Sequence, residues 1–94
     1  MKALAEIQVV PLGVGVSVRK QVMRAREIIE AAGLAVEDHA YGTNVEGDLD
    51  TILATIKRVH EVLHAEGTPR LSTAIKLGTR TDKDSTLEGK RLAR

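Results

Sequence analysis

Residues 60–64 read HEVLH. Histidines four residues apart share one face of a helix, and a glutamate between them is the general base of zinc hydrolases. Metal-assisted hydrolysis is therefore the first chemistry to weigh, and three features of the chain argue against it. A catalytic zinc needs a third protein ligand close to the first two. The remaining histidine, His39, falls in a stretch that reads as a strand, and Glu88, the later glutamate spaced to serve, lies in a polar tail. A hydrolase also needs a substrate cleft, which 94 residues hardly suffice to build. Finally, the helix has its apolar stripe elsewhere, so both histidines sit on its flank. They are read as ordinary flank and surface side chains, and no catalytic residue and no metal ligand is assigned.

The stretch GVGVS at 13–17 has the glycine spacing of a phosphate loop, but it lacks the third glycine of a dinucleotide fingerprint and the lysine of a P-loop. It reads as a flexible turn leading into a helix with Ser17 at the N-cap. The free amides of the next turn still offer a place for a small polar ligand. Three carboxylates, Glu6, Glu37 and Glu46, fall on stretches expected to share one face of a sheet. They read either as solvated acids or as a site for a cationic or amine-bearing ligand. Thr43, Asn44, Ser72 and Thr73 would add neutral hydrogen-bonding groups to the same neighbourhood.

These groups must be held by elements, and the hydrophobic pattern supplies them. Leu4–Leu12 alternates and is rich in valine and isoleucine, which predicts a strand with Ala5, Ile7 and Val9 on one side. Val22, Ala25, Ile28, Ile29 and Ala32 recur at helical spacing and stop at Gly33. Leu34–Ala40 and Thr43–Glu46 read as the second and third strands. Asp48 reads as the N-cap of a second helix with the stripe Leu49, Ile52, Leu53, Ile56, Val59 and Leu63, ended by Gly67 and Pro69. Leu71–Thr79 is the fourth strand.

The order predicts an α+β, ferredoxin-like βαββαβ domain over residues 1–81: a four-stranded antiparallel sheet with two helices on one face. Residues 82–94 form a polar C-terminal tail, frayed or a short helix. The other sheet face, with no cover expected from within the chain, would carry Glu6, Gln8, Val10, Glu37, His39, Asn44, Glu46, Ser72, Ala74 and Lys76. Such a face meets water, a ligand or another subunit.

Composition narrows the partners. Fourteen basic against thirteen acidic residues leave a net charge of +1, without the basic stripe of a nucleic-acid binder. The RNA-binding fold of the same element order stacks bases on aromatic residues of its central strands. Here those strands offer two acids and no aromatic, so nucleic acid is not an expected partner. There is no Cys, Phe or Trp and a single Tyr. An aromatic-free core in so short a chain buries little area, which points to self-association. No apolar run is long enough to span a membrane and the start does not read as a signal peptide, so the expected location is cytoplasmic.

The segments VVPLG (9–13), YGTNVEGDLD (41–50) and LSTAIKLGTRTDK (71–83) together resemble the small, single-domain thiamine-binding protein family, the YkoF-like group. The resemblance runs nearly the whole chain. It implies a non-catalytic protein that binds thiamine or its hydroxymethylpyrimidine half, with no cofactor, as a homodimer or a homotetramer built through sheet contacts. By position it covers Pro11, Gly13, Ser17, Gly42, Thr43, Glu46, Gly47, residues 72–76 and Arg80. Two positions depart: Tyr41 stands where the family commonly has Met, and Gly78 where it commonly has an acid. Tyr41 would either offer a ring to stack on a flat pyrimidine or thiazolium ring or cap an interface. The expected ligand contacts are Glu46, Thr43 and Asn44, with Ser17, Ser72 and Tyr41 behind them. The alternative reading is a self-assembling structural or interaction protein whose open face is consumed by its own copies.

Overall fold

Alternation along the first strand decides the architecture. In β1 (Lys2–Leu12) Ala3, Ala5 and Ile7 are buried, while Lys2, Glu6 and Val10 on the opposite side are exposed. That is the period of two of a sheet covered on one face. The strand runs through Pro11, because from Gln8 onward it pairs on one side only. A proline there need break no second ladder. The computed structural model describes residues 1–90, so the end of the expected tail, 91–94, lies outside the described residues.

After β1 come α1 (Arg19–Glu30), β2 (Ala35–His39), β3 (Gly42–Asp48), α2 (Leu49–Ala65), β4 (Arg70–Thr79) and one helical turn, α3 (Leu87–Lys90). The strands lie in the order β2-β3-β1-β4, each neighbouring pair antiparallel. Thus α1 carries the chain from β1 to β2 past β3, and α2 carries it from β3 to β4 past β1. This is the ferredoxin-like βαββαβ arrangement, with both long helices on one face.

The core lies between that face and the helices. Ala3, Ala5, Ile7 and Val45 from the sheet meet Ala25, Ile28 and Ile29 of α1 and Ile52, Val59 and Leu63 of α2. No aromatic ring takes part, and small residues on β1 let the helices approach. Gly47 on β3 serves the same close fit, since a Cβ there would run into the Leu34 side chain. Two helix details depart from the sequence pattern. Leu53, expected in the buried stripe of α2, is 48% exposed, and Thr55 is buried instead. Thr55 can go under because its hydroxyl donates to the Thr51 carbonyl (2.7 Å), which satisfies the polar group locally. Leu53 lies on the same side of α2 as His60, which meets Thr73 of the edge strand β4, and among the described residues no further helix packs beyond that edge.

The helix starts also differ. Asp48 caps α2 as expected, its Oδ2 accepting from the Asp50 amide (3.1 Å). Ser17 does not cap α1. The N-cap is Val18, with no side-chain hydrogen bond, because the helix begins one residue later than a Ser17 cap requires.

The open face is also not bare along its whole length. Arg80 and Asp82 form an ion pair just after β4 (Nε–Oδ1 2.7 Å), and the chain returns across that face. Ser85, 6% exposed, and Leu4, only 9% exposed although it points away from the helices, are the result. Among the described residues no helix is long and apolar enough to cross a membrane.

Asp48 has a second role. Its Oδ1 accepts from the N-terminal ammonium (3.2 Å), which, ahead of its backbone hydrogen bonds, lowers its carboxyl pKa from the ordinary 3.8. A carboxyl depressed by folding stabilises above its unfolded pKa, and the contribution disappears as pH falls through the folded value. Asp48→Asn keeps a capping oxygen but no titrating group. The expected outcome is a flatter loss of melting temperature between about pH 4 and pH 2 than in the unchanged protein, read by thermal unfolding monitored by circular dichroism.

Candidate functional site

The register of the four strands sets out the open face in rows. One row reads Ala35–Glu46–Leu4–Gly78 from β2 to β4, and the next reads Glu37–Asn44–Glu6–Lys76. The second row puts a carboxylate, an amide, a carboxylate and an ammonium side by side. Asn44 donates through Nδ2 to Glu37 Oε1 (3.3 Å). A cavity of about 400 Å³ opens beside the row, lined by Leu4, Glu6, Asn44, Lys76, Gly78 and Leu87. That is within the size range of small-ligand sites, with apolar walls and a few convergent polar groups.

A glycine decides how the next row connects to this one. His39 on β2 reaches past Gly42 to Glu6 on β1, with Nε2 3.3 Å from Glu6 Oε2. The approach is out of line for a hydrogen bond, and the buried Nε2 has no other partner among the described residues. Nδ1 accepts from the Tyr41 amide (3.4 Å), so in the neutral ring Nε2 carries the hydrogen and lies beside the carboxylate without completing a hydrogen bond to it. A Cβ on Gly42 would lie 2.6 Å from the Ile7 carbonyl oxygen and 3.4 Å from His39 Cε1.

The expected ligand residues divide. Asn44, Glu46 and Ser72 point to the open face. Asn44 lines the cavity. Glu46 stands at its border and is already engaged, Oε1 accepting from the Leu87 amide (2.7 Å) and Oε2 lying 3.8 Å from Lys2 Nζ. Ser72, opposite Val10, is six residues along β4 from Gly78, about 20 Å at ~3.3 Å per residue. Thr43 faces the helices, is buried, and donates to Asp38 Oδ1 (2.9 Å). Asp38 in turn lies 3.8 Å from Arg26 Nε. Thr73, grouped with these residues by the sequence, also turns to the helix side. Tyr41 is 79% exposed at the tip of the β2–β3 turn, and Ser17 is exposed in the loop before α1.

Glu6, Lys76 and Leu87 complete the cavity. Alternation places Glu6 and Lys76 on the open face, but their meeting with Asn44 depends on register. Nothing local in the sequence announces Leu87, which arrives by the return of the tail.

The HEVLH residues are occupied elsewhere. His60 Nε2 is 2.7 Å from Thr73 Oγ1, which ties α2 to β4. His64 Nδ1 is 2.8 Å from the Thr68 carbonyl oxygen; a carbonyl can only accept, so this nitrogen carries the hydrogen. Among the described residues no three His, Asp or Glu side chains gather to hold a metal. Another cleft, of about 420 Å³, runs between α1 and the end of α2 beside Lys20, Gln21, Arg24 and Glu66. Its main charges cancel, since Arg24 Nε donates to both oxygens of Glu66 (3.1 Å each).

A sheet with both long helices on one face and a ligand-sized, largely apolar cavity edged by a few polar groups on the other defines a ferredoxin-like α+β domain with a candidate small-molecule site. The chain belongs to the thiamine-binding protein family, which it matches over residues 5–93. It is 46% identical over 90 residues to a UPF0045 protein of Synechocystis, covering 96% of this chain and 74% of that protein. The crystal structure of a hypothetical protein from Methanocaldococcus jannaschii superposes with a TM-score of 0.87 at 40% identity, covering 95% of this chain and 91% of the other. A Thermotoga maritima protein, proposed to act in thiamine biosynthesis or salvage, has the same fold, with a TM-score of 0.86 at 24% identity over 96% and 95% of the two chains.

Gly42→Ala tests how the two rows are joined. The added carbon must push β1 and β3 apart, so the variant is expected to lose about 1–3 kcal/mol of stability in urea unfolding. The His39 imidazole resonances should also stop responding to Glu6→Gln when followed by NMR.

Proposed function

We propose that the open-face cavity binds a small aromatic amine, thiamine or its hydroxymethylpyrimidine half, and releases it chemically unchanged. The observation that carries this reading is the row Glu37–Asn44–Glu6–Lys76 beside an apolar hollow. An exocyclic amine on a pyrimidine donates to a carboxylate such as Glu6. A ring nitrogen accepts from the Asn44 amide or the Lys76 ammonium, and Leu4 and Leu87 flank the ring. Membership of the thiamine-binding family supports the ligand class. The aminopyrimidine is the half this site serves best. Lys76 adds a positive charge to the cavity, and Gly78 brings no second carboxylate to meet a thiazolium.

Calorimetric titration with thiamine and with hydroxymethylpyrimidine tests the reading. Heat of binding and a ligand-dependent rise in melting temperature are expected, the latter by mass action. Glu6→Gln should weaken binding by about ten-fold or more, the effect of losing a charge-assisted hydrogen bond. Neither heat nor thermal shift at millimolar concentrations of either compound would remove the proposal.

Self-association is the second element of the proposal, and the sheet edge favours it. On the helix side of β4, Ile75 and Leu77 are 45% and 43% exposed, and Leu53 on the α2 flank is exposed too. β4 is also an edge strand of ten residues with one free hydrogen-bonding side. An apolar flank beside an unpaired edge suits a second copy of the chain, added strand to strand with helix packing alongside. In light scattering coupled to size exclusion, the unchanged protein is expected as a dimer or tetramer. Ile75→Lys with Leu77→Lys should shift it toward monomer, while the unchanged mass of that double variant would place the interface elsewhere.

A further inference from the structure

The strand pattern does not explain the path of the segment after β4. Its path is held by four separate features. The Arg80–Asp82 ion pair turns the chain off the end of β4. Ser85 is buried, and it lines a small hollow with Leu4, Gly78, Thr79 and Arg80. Thr86 Oγ1 accepts from the Gly89 amide (2.9 Å) and so starts the turn α3. The Leu87 amide then donates to Glu46 Oε1 at 2.7 Å, a short charge-assisted contact, while Lys2 stands by the other oxygen of that carboxylate. Leu87 also stands against the 400 Å³ cavity and is, among the described residues, the single lining residue that does not come from a strand.

We infer that residues 85–88 are a wall of the open-face cavity, and that Glu46 is the latch that holds this wall in place rather than a group that touches the ligand. Leu4, Glu6, Asn44, Lys76 and Gly78 all belong to the sheet and form a floor. A floor alone leaves a flat ligand exposed on its upper side, whereas small-ligand sites bury most of the ligand surface. Leu87 supplies an apolar side wall, and of the features that hold its segment the carboxylate–amide bond is the one made at Leu87 itself. Glu46 is thus a positioning residue and Leu87 a specificity residue, because the size of the side chain at 87 sets how large a ring fits over Leu4. The identity of the occupant rests on the function proposed above; the latch does not.

Amide hydrogen exchange on the intact protein without ligand tests the latch. The amides of residues 85–88, that of Leu87 above all, are expected to exchange about ten-fold or more slowly than in a free peptide of the same sequence. Glu46→Ala should abolish that protection and Glu46→Gln, which retains an oxygen acceptor, should keep most of it. Unchanged protection of β1 and β3 would certify that both variants fold. Free exchange at 85–88 in the unchanged protein, or full protection in Glu46→Ala, would overturn the inference.

Titration with hydroxymethylpyrimidine gives the second reading. Glu46→Ala and Leu87→Ala should weaken binding alike, with Glu46→Gln close to the unchanged protein. If Glu46→Gln loses binding as fully as Glu46→Ala while its tail stays protected, Glu46 meets the ligand by its charge and the latch assignment is wrong. If nothing binds to the unchanged protein, the proposed ligand class fails, and the exchange result still decides the latch.

Discussion

Both crossover helices lie on the same side of the sheet, and every other feature of the molecule depends on that one-sided burial. A four-stranded layer shielded on one face must put its apolar residues at every second position and leave the alternate positions to other duties. With Ala3, Ala5, Ile7 and Val45 committed to the helices, Leu4, Glu6, Asn44 and Glu46 are free to form a surface. The core that results is aliphatic and small. Its modest area explains why the chain uses several non-core devices to hold itself together, among them the capped start of α2 and the His60–Thr73 contact between α2 and β4.

The open face is organised by what is missing from it as much as by what it carries. Gly42 has no side chain, so His39 crosses β3 and its Nε2 faces the Glu6 carboxylate. Gly78 has none either, and a Cβ there would meet nothing within 4 Å, so the corner beside Leu4 stays open. One glycine thus brings an imidazole to the acid of the cavity, and the other leaves the cavity its width. Asn44 ties the β2 end of the polar row to β3 by its bond to Glu37. The polar groups that converge there are the Glu6 carboxylate, the Asn44 amide and the Lys76 ammonium, beside an apolar hollow.

The five letters HEVLH show how a motif is absorbed by structure. The two histidines do share a helix face, with ring centres 6.1 Å apart. Each ring is nonetheless engaged through one nitrogen in a contact that stitches α2 to the chain beyond its C-terminus: His60 to the strand β4, and His64 to the loop carbonyl of Thr68. Spacing on a helix brings side chains together, but a reactive metal centre also needs a third donor from another element, and tertiary structure sends His39 to the far side of the sheet.

What was legible in the sequence was whatever depends on near neighbours along the chain. The period of two in β1, the 3.6-residue stripe of α1, the Asp48 cap and the order of elements that makes a ferredoxin-like sheet are all local patterns, and so is the division of most side chains between covered and open faces. Local pattern fails where distance matters. Alternation, itself local, already sends Thr43 and Asn44 to opposite faces, but that Thr43 bonds Asp38 depends on the pairing of β2 with β3. Leu53 belongs to the stripe by spacing, but the edge it faces has no cover. Glu46 and Leu87, forty-one residues apart, meet only after the tail doubles back, and no periodicity encodes that meeting. The sequence by itself determined the elements and their faces, because those obey the geometry of a single strand or helix. Which side chains share a cavity was decided by strand register and chain return, because these are set by packing between segments remote in the chain.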